Sequence, residues 1–119
     1  MDLSKFIRTV PDFPEPGIMF RDVTTLFAEP QAFKAMIEQF NQQFNGVDID
    51  YIGGIDARGF IIGAALALTR EIGFVPVRKK GKLPYDTISE DYALEYGTAT
   101  LELHTDAVSA GAKVLIVDD

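Results

Sequence analysis

The chain has no cysteine among its 119 residues. That absence excludes disulfides, thiolate nucleophiles and cysteine-based zinc sites together. It has one histidine, His104, so a histidine-rich metal site is excluded as well. Basic residues are in deficit, with 11 Lys and Arg against 18 Asp and Glu and a net charge of −7. A general nucleic-acid binder carries a basic excess or a basic stripe, so that class is not expected. No apolar run approaches the ~18 residues of a membrane span, and Met1-Asp2-Leu3-Ser4-Lys5 lacks the pattern of a signal peptide. Gly-x-Gly-x-x-Gly does not occur, and neither Gly81-Lys82 nor Lys113 is followed by Ser or Thr as a P-loop requires. What is present is apolar: 47% of the residues are hydrophobic and 24% charged, enough for one modest core without staples. The expectation is a soluble, cytoplasmic, single-domain protein that engages neither nucleic acid nor membrane.

Residues 2–8 are expected to form a short N-terminal helix. Pro11, Pro14 and Pro16 then space out a stretch that cannot be helical and is expected to run extended over the surface to Gly17. Residues 30–44 carry the clearest helical signal, with Phe33, Met36, Ile37, Phe40 and Phe44 on one face at spacings of three and four. Pro30 suits a first helical position, and Asn45-Gly46 supplies the stop. Such a stripe reads as core and not as a cofactor box. Ile49 to Ile55 reads as a buried strand, followed by a polar loop at Asp56-Ala57-Arg58. Gly59 to Thr69 is apolar almost all round, which suits a helix buried between a sheet and another layer. Gly59 and Gly63, four apart, read as close helix packing. Phe74 to Val77 and Val114 to Val117 read as short buried strands. Between them Ala99, Leu101 and Leu103 alternate with Thr100, Glu102 and His104, a half-exposed strand that places His104 at the surface and not as a catalytic base. Apolar strands joined by helices indicate an α/β fold with a mainly parallel sheet flanked by helices.

In open α/β sheets ligands bind beyond the carboxyl ends of the strands. Three strand ends lead into Asp56-Ala57-Arg58-Gly59, into Arg78-Lys79-Lys80-Gly81-Lys82 and into Asp118-Asp119. Two cationic segments and one acidic pair are therefore predicted on one edge. Five of the eleven basic residues fall between Arg70 and Lys82, whereas Asp86 to Asp106 holds six carboxylates and no Lys or Arg. Cations packed this closely repel, so either an anion or heavy solvation must compensate. A basic run alone reads as a solvated loop. With Arg58 at a second strand end, beside free helix N–H groups and opposite a carboxylate pair, the balance moves to a phosphorylated ligand. Neighbouring residues of an extended chain point to opposite faces, so a regular strand would turn at most one of Asp118 and Asp119 toward a ligand.

Phe20-Arg21-Asp22-Val23-Thr24, Asp56-Ala57-Arg58-Gly59-Phe60, Val77-Arg78-Lys79-Lys80-Gly81-Lys82-Leu83-Pro84, Leu94-Glu95-Tyr96-Gly97 and Val114 to Asp119 follow one another in this order. Together they resemble the adenine phosphoribosyltransferase family, of the type I phosphoribosyltransferase fold, over the chain from the proline segment onward. The resemblance implies purine salvage: AMP and pyrophosphate made from adenine and phosphoribosyl pyrophosphate, with Mg2+ brought in by the pyrophosphate donor and not held by a direct protein site. It implies that residues 1–29 form an N-terminal arm and base-binding region, with Phe20 stacked on adenine and the backbone around Met19 and Arg21 reading its edge. Arg58 and the Ala57 amide are implied to hold pyrophosphate, with a cis peptide at Asp56-Ala57. Arg78, Lys79 and Lys82 are implied to add charge against it, and Asp118 and Asp119 to contact the ribose hydroxyls. Residues 83–98 resemble a mobile catalytic loop in which Glu95 manages a proton on the purine and Tyr96 covers the reacting centre. A homodimer is also implied.

Relatives in this family continue after the acidic pair into a loop that cradles the ribose 5-phosphate. The expectation is that residues 1–119 form the N-terminal two thirds of a single phosphoribosyltransferase domain, with exposed apolar surface on the final strand. A non-enzymatic purine or nucleotide-binding module, or an inactive piece of the same fold, is the alternative.

Overall fold

The structure is a computed structural model; it describes residues 1–94 and 97–119. Contacts cluster into two compact units, Met1–Asn45 and Gly46–Asp119.

The first unit opens with a 3-10 helix at Leu3–Phe6 and continues into strand β1, Arg8–Pro11. The expected helix over 2–8 is thus a single tight turn, and Arg8 belongs to a strand. The expected extended proline arm is also corrected, because β1 pairs antiparallel with β2, Met19–Asp22: Pro11 ends β1, and Pro14 and Pro16 occupy the hairpin connection. The sequence shows that prolines forbid a helix; it does not show that the chain doubles back. Asp12 closes the bend by accepting the Gly17 N–H at 2.8 Å. At the far end Arg8 pairs with Asp22, which also accepts the Thr24 hydroxyl at 2.6 Å and the Thr24 N–H at 2.9 Å. These bonds, the Thr24 hydroxyl first, then Arg8, then the Thr24 N–H, hold the Asp22 carboxyl down at about 2. Asp22 thereby satisfies the first N–H of a short helix absent from the sequence expectations, α1 at Thr24–Phe27, whose Leu26 is buried. Helix α2 runs Pro30–Gln43 as its periodicity predicts, and buries Ala32, Met36 and Ile37. Proline at its start requires no N–H partner there.

The second unit is a five-stranded sheet in the order β5-β6-β4-β3-β7. Strands β3 (Tyr51–Ile55), β4 (Gly73–Lys79) and β7 (Val114–Val117) are parallel. Strands β5 (Thr87–Leu94) and β6 (Gly97–His104) add an antiparallel ribbon along β4. Compared with the sequence reading, β3 starts two residues later and β4 extends through Arg78 and Lys79, because both pair with β6. Much of the segment read as a loop, 83–98, is strand. Burial does not alternate along β6 as expected, since its polar side is occupied: Thr100 donates to Asp91 and Thr87 donates to Glu102.

Helix α3, Arg58–Arg70, crosses from β3 to β4 and lays Gly59, Ile62, Gly63, Leu66 and Ala67 on the sheet. Burial of Ile52, Ile62, Leu66 and Val117 stabilises this seam by roughly 1.5–3 kcal/mol per side chain. The approach is close because the seam is glycine. A Cβ at Gly54 would stand 2.5 Å from the Gly59 carbonyl oxygen, and one at Gly59 would stand 2.6 Å from that of Val117. The helix was expected to be buried all round. Instead its outer side carries Ile61 and Leu68, the latter 80% exposed, because all-round apolar composition does not specify which side finds a partner. On the sheet face away from α3, Ile55, Val77, Leu101, Leu103 and Ile116 line an apolar groove of about 310 Å³. Ile116 of the final strand is 54% exposed there.

Candidate active site

Because β3, β4 and β7 are parallel, their carboxyl ends share one edge, as the sequence predicts. Ile55 stands beside Val77 and Gly54 beside Val117, so the residues that follow are brought together. The Asp56 N–H still donates to the Val77 carbonyl at 3.0 Å, and the Asp56–Ala57 peptide is cis. Ala57 is exposed and precedes α3, whose first turn contains no acidic residue and no side-chain cap. The positive end of the helix therefore meets no acidic side chain from its own first turn, which favours an anion there.

Arg58 opens α3, and the glycine seam lowers it toward the end of β7. Its guanidinium forms an ion pair with the Asp119 carboxylate. Burial opposes ionisation of Asp119, but the hydrogen bond and charge of Arg58 outweigh it and hold the carboxyl below its ordinary value. At Asp118 burial dominates, reinforced by the neighbouring Asp119, and the carboxyl is raised. The two acids of the pair thus sit in different electrostatic environments.

The cationic turn follows β4. Arg78 forms a 3.0 Å ion pair with Asp56, and a weak 3.4 Å bond links its guanidinium to the Lys82 carbonyl. The guanidinium also lies 6.0 Å from the ring centre of Phe60 in α3. Lys79, Lys80 and Lys82 are exposed. The turn closes through Gly81, at φ +86, where an L side chain would be strained. The Gly81 N–H donates to Glu102 of β6 at 2.7 Å, and the Thr87 hydroxyl donates to the other carboxylate oxygen at 2.9 Å. Those two bonds lower the Glu102 pKa, with help from the charge of Lys80. Part of the compensation that the sequence reading assigned to an external anion is therefore internal. Asp56 and Glu102 supply it, and the sequence reading gave neither a role. The alternation of β6 placed Glu102 on a polar side; only the register Arg78↔Glu102 puts it beside the turn.

In the first unit Phe20 lies half-buried in β2, with its ring edge-to-face against Phe13 at 5.2 Å. Arg21 is exposed and donates to the Thr9 hydroxyl. Met19 is 56% exposed. Glu95 and Tyr96, assigned above to catalysis, lie outside the described residues. Among the described residues no group of three or more His, Asp or Glu side chains is arranged to hold a metal ion, and no helix is long and apolar enough to cross a membrane. Chemically, the edge combines guanidinium and ammonium groups with the positive end of a helix, which suit phosphate, and an acidic pair, which suits hydroxyls.

Comparison with known proteins gives a consistent result. No family model matches the chain. It is 56% identical over 119 residues to the adenine phosphoribosyltransferase of Maricaulis maris, covering 100% of this chain and 68% of that one. The adenine phosphoribosyltransferase structure from Thermoanaerobacter pseudethanolicus superposes with a TM-score of 0.94 at 48% identity, covering 99% of this chain and 69% of that one. The Saccharomyces cerevisiae enzyme, solved with adenine and an imino-altritol bisphosphate, superposes with a TM-score of 0.90 at 42% identity, covering 99% and 69%. The chain spans about two thirds of the length of the curated relatives it matches. Identity at this level over the whole chain, on the same fold, means that the chain belongs to the adenine phosphoribosyltransferase family.

Proposed function

We propose that the protein transfers the phosphoribosyl group of phosphoribosyl pyrophosphate to adenine, giving AMP and pyrophosphate in purine salvage. The observation that carries this reading is the shared edge where Arg58, the turn Arg78–Lys82 and the pair Asp118–Asp119 meet at three strand ends. The family relationship and the adenine bound in the yeast relative support the base.

In this reaction the bond from ribose C1 to the pyrophosphate oxygen breaks, pyrophosphate leaves with the electron pair, and a purine ring nitrogen bonds to C1. The sugar passes through cationic character while negative charge builds on the leaving group. Arg58, the Ala57 amide at the start of α3, Arg78, Lys79 and Lys82 hold that leaving group; such preorganised charge is usually the largest catalytic contribution. Mg2+ brought by the pyrophosphate donor would supply charge neutralisation on its oxygens, beside the Arg and Lys side chains that hold the same group. Asp118 and Asp119 accept from the ribose hydroxyls. Phe20 stacks on adenine, and the backbone of Met19 and Arg21 reads its edge. Glu95 manages the proton on the purine's imidazole ring, and Tyr96 covers the reacting centre as the 83–98 segment excludes water. The working form is a cytoplasmic homodimer.

The test is AMP formation from adenine and phosphoribosyl pyrophosphate with magnesium, in the protein expressed from its full reading frame. Turnover is expected, and Glu95→Gln is expected to lower kcat by about 10² to 10⁴ with little change in adenine affinity. Equal loss in rate and affinity contradicts the role of Glu95. Binding of adenine and pyrophosphate with no AMP formed replaces this reading with that of a nucleotide-binding module.

A further inference from the structure

Glu102 stands where a carboxylate works against the site beside it. The turn it touches carries Arg78, Lys79, Lys80 and Lys82, and a negative charge there weakens the attraction of the turn for a phosphate. What it contributes is geometric. One oxygen accepts the Gly81 N–H at 2.7 Å and the other accepts the Thr87 hydroxyl at 2.9 Å. Gly81 is the left-handed residue of the cationic turn, and Thr87 is the first residue of β5. The turn is further set by Lys80 N–H to the Thr100 carbonyl at 3.2 Å and Lys82 N–H to the Lys79 carbonyl at 3.3 Å. Beyond Thr87 the outer strand of the ribbon is exposed, with every β5 residue from Ile88 to Leu94 solvent-accessible. A single side chain on β6 therefore spans from the cationic turn to the root of the ribbon that leads to Glu95 and Tyr96.

We propose that Glu102 is a positioning residue that holds the cationic turn in its anion-binding shape with one oxygen and fixes the root of the β5–β6 ribbon to that turn with the other. This rests on the function proposed above, in which the turn holds pyrophosphate and the ribbon carries the catalytic pair. Glutamine at 102 keeps the brace, since its amide oxygen accepts from Gly81 and its amide nitrogen meets the Thr87 hydroxyl, while the opposing charge is removed. Alanine removes both arms. Thr87→Val removes only the ribbon arm.

The test uses magnesium pyrophosphate as a calorimetric probe, hydrogen exchange of the Ile88–Leu94 amides, and kcat, with thermal unfolding to verify that each variant folds. Glu102→Ala is expected to weaken pyrophosphate binding by about tenfold, the equivalent of one charge-assisted hydrogen bond, and to speed exchange in β5. Glu102→Gln is expected to bind pyrophosphate as tightly as the unsubstituted protein or more tightly, with exchange unchanged. Thr87→Val is expected to speed exchange and lower kcat while leaving pyrophosphate affinity in place. If alanine and glutamine both tighten binding, Glu102 acts only through its charge and the proposal fails. If neither changes binding or exchange, it fails as well. Pyrophosphate binding and exchange require no transfer chemistry, so a protein that binds pyrophosphate without making AMP refutes the reaction and still tests the brace. An unsubstituted protein that does not bind pyrophosphate overturns both.

Discussion

Strands β3 and β5 belong to one sheet but are built in opposite ways. Three of the five residues of β3 are buried, whereas seven of the eight in β5 are exposed. β3 lies between two parallel neighbours with α3 on its face, and its glycines let backbone press on backbone. β5 has one partner strand, and its fixed points are the ladder to β6 and hydrogen bonds from Thr87 and to Asp91. Groups at the end of β3 are held by packing, which resists displacement over the whole seam. Groups on the ribbon are held by exposed hydrogen bonds, which open locally at low cost. The transfer reaction proposed above would draw on both kinds of support, fixed charge for the leaving group and a cover that admits substrate and closes.

The largest effect that separates the two regions is steric. Gly54→Val drives side-chain atoms into the Gly59 carbonyl and the Phe74 ring and is expected to cost about 3 kcal/mol, read as a fall in the urea midpoint. Glu90→Thr on the exposed ribbon is expected to stay within about 0.5 kcal/mol. Similar losses at both positions would break the comparison.

A smaller effect tests whether charge fixed by packing carries anion binding. Arg58→Ala is expected to weaken magnesium pyrophosphate binding by about tenfold. It removes the Asp119 partner, so the Asp119 carboxyl rises from its lowered position, which carboxyl carbon shifts in a pH titration will show. Unchanged binding alongside the expected Asp119 shift would confine Arg58 to a structural ion pair.

The smallest effect is one of pH. The folded Glu102 value lies below the ordinary 4.5. Its contribution is therefore complete above 4.5 and is lost as the pH falls through the lowered folded value. Protection of the Gly81 and Thr87 amides is expected to fall across that acid range while the Ile52 amide, inside the parallel ladder, retains its protection. Simultaneous loss at all three would show that acid unfolds the sheet as a unit and that the ribbon has no separate support.

Much of this was legible in the sequence wherever the signal is local. The period of α2, the apolar run Val114–Val117 and the glycine spacing of α3 each lie within one element, and each strand-end segment is a run of consecutive residues. The strand-end rule then placed Arg58, Arg78 and Asp118–Asp119 on a common edge, and the parallel pairing agrees. The proline segment was misread because an absence of helix is equally compatible with an extended arm and a hairpin. The family resemblance alone implies a loop over 83–98, and nothing local contradicts it: β5 mixes Ile88, Tyr92 and Leu94 with Ser89, Glu90 and Asp91 and buries almost nothing. A strand that packs on nothing leaves no clean alternation.

The amino-acid sequence by itself determined the family, helices α2 and α3, the parallel strands and the chemical types at their ends, because periodicity and motif order are properties of neighbouring residues. Only the tertiary structure decided which carboxylate each cationic side chain, and the N–H of the cationic turn, meets. Arg58 finds Asp119 across 61 positions, Arg78 finds Asp56 across 22, and Gly81 finds Glu102 across 21. No local pattern encodes those pairs. They follow from strand register and from how closely a glycine seam lets one helix approach the sheet.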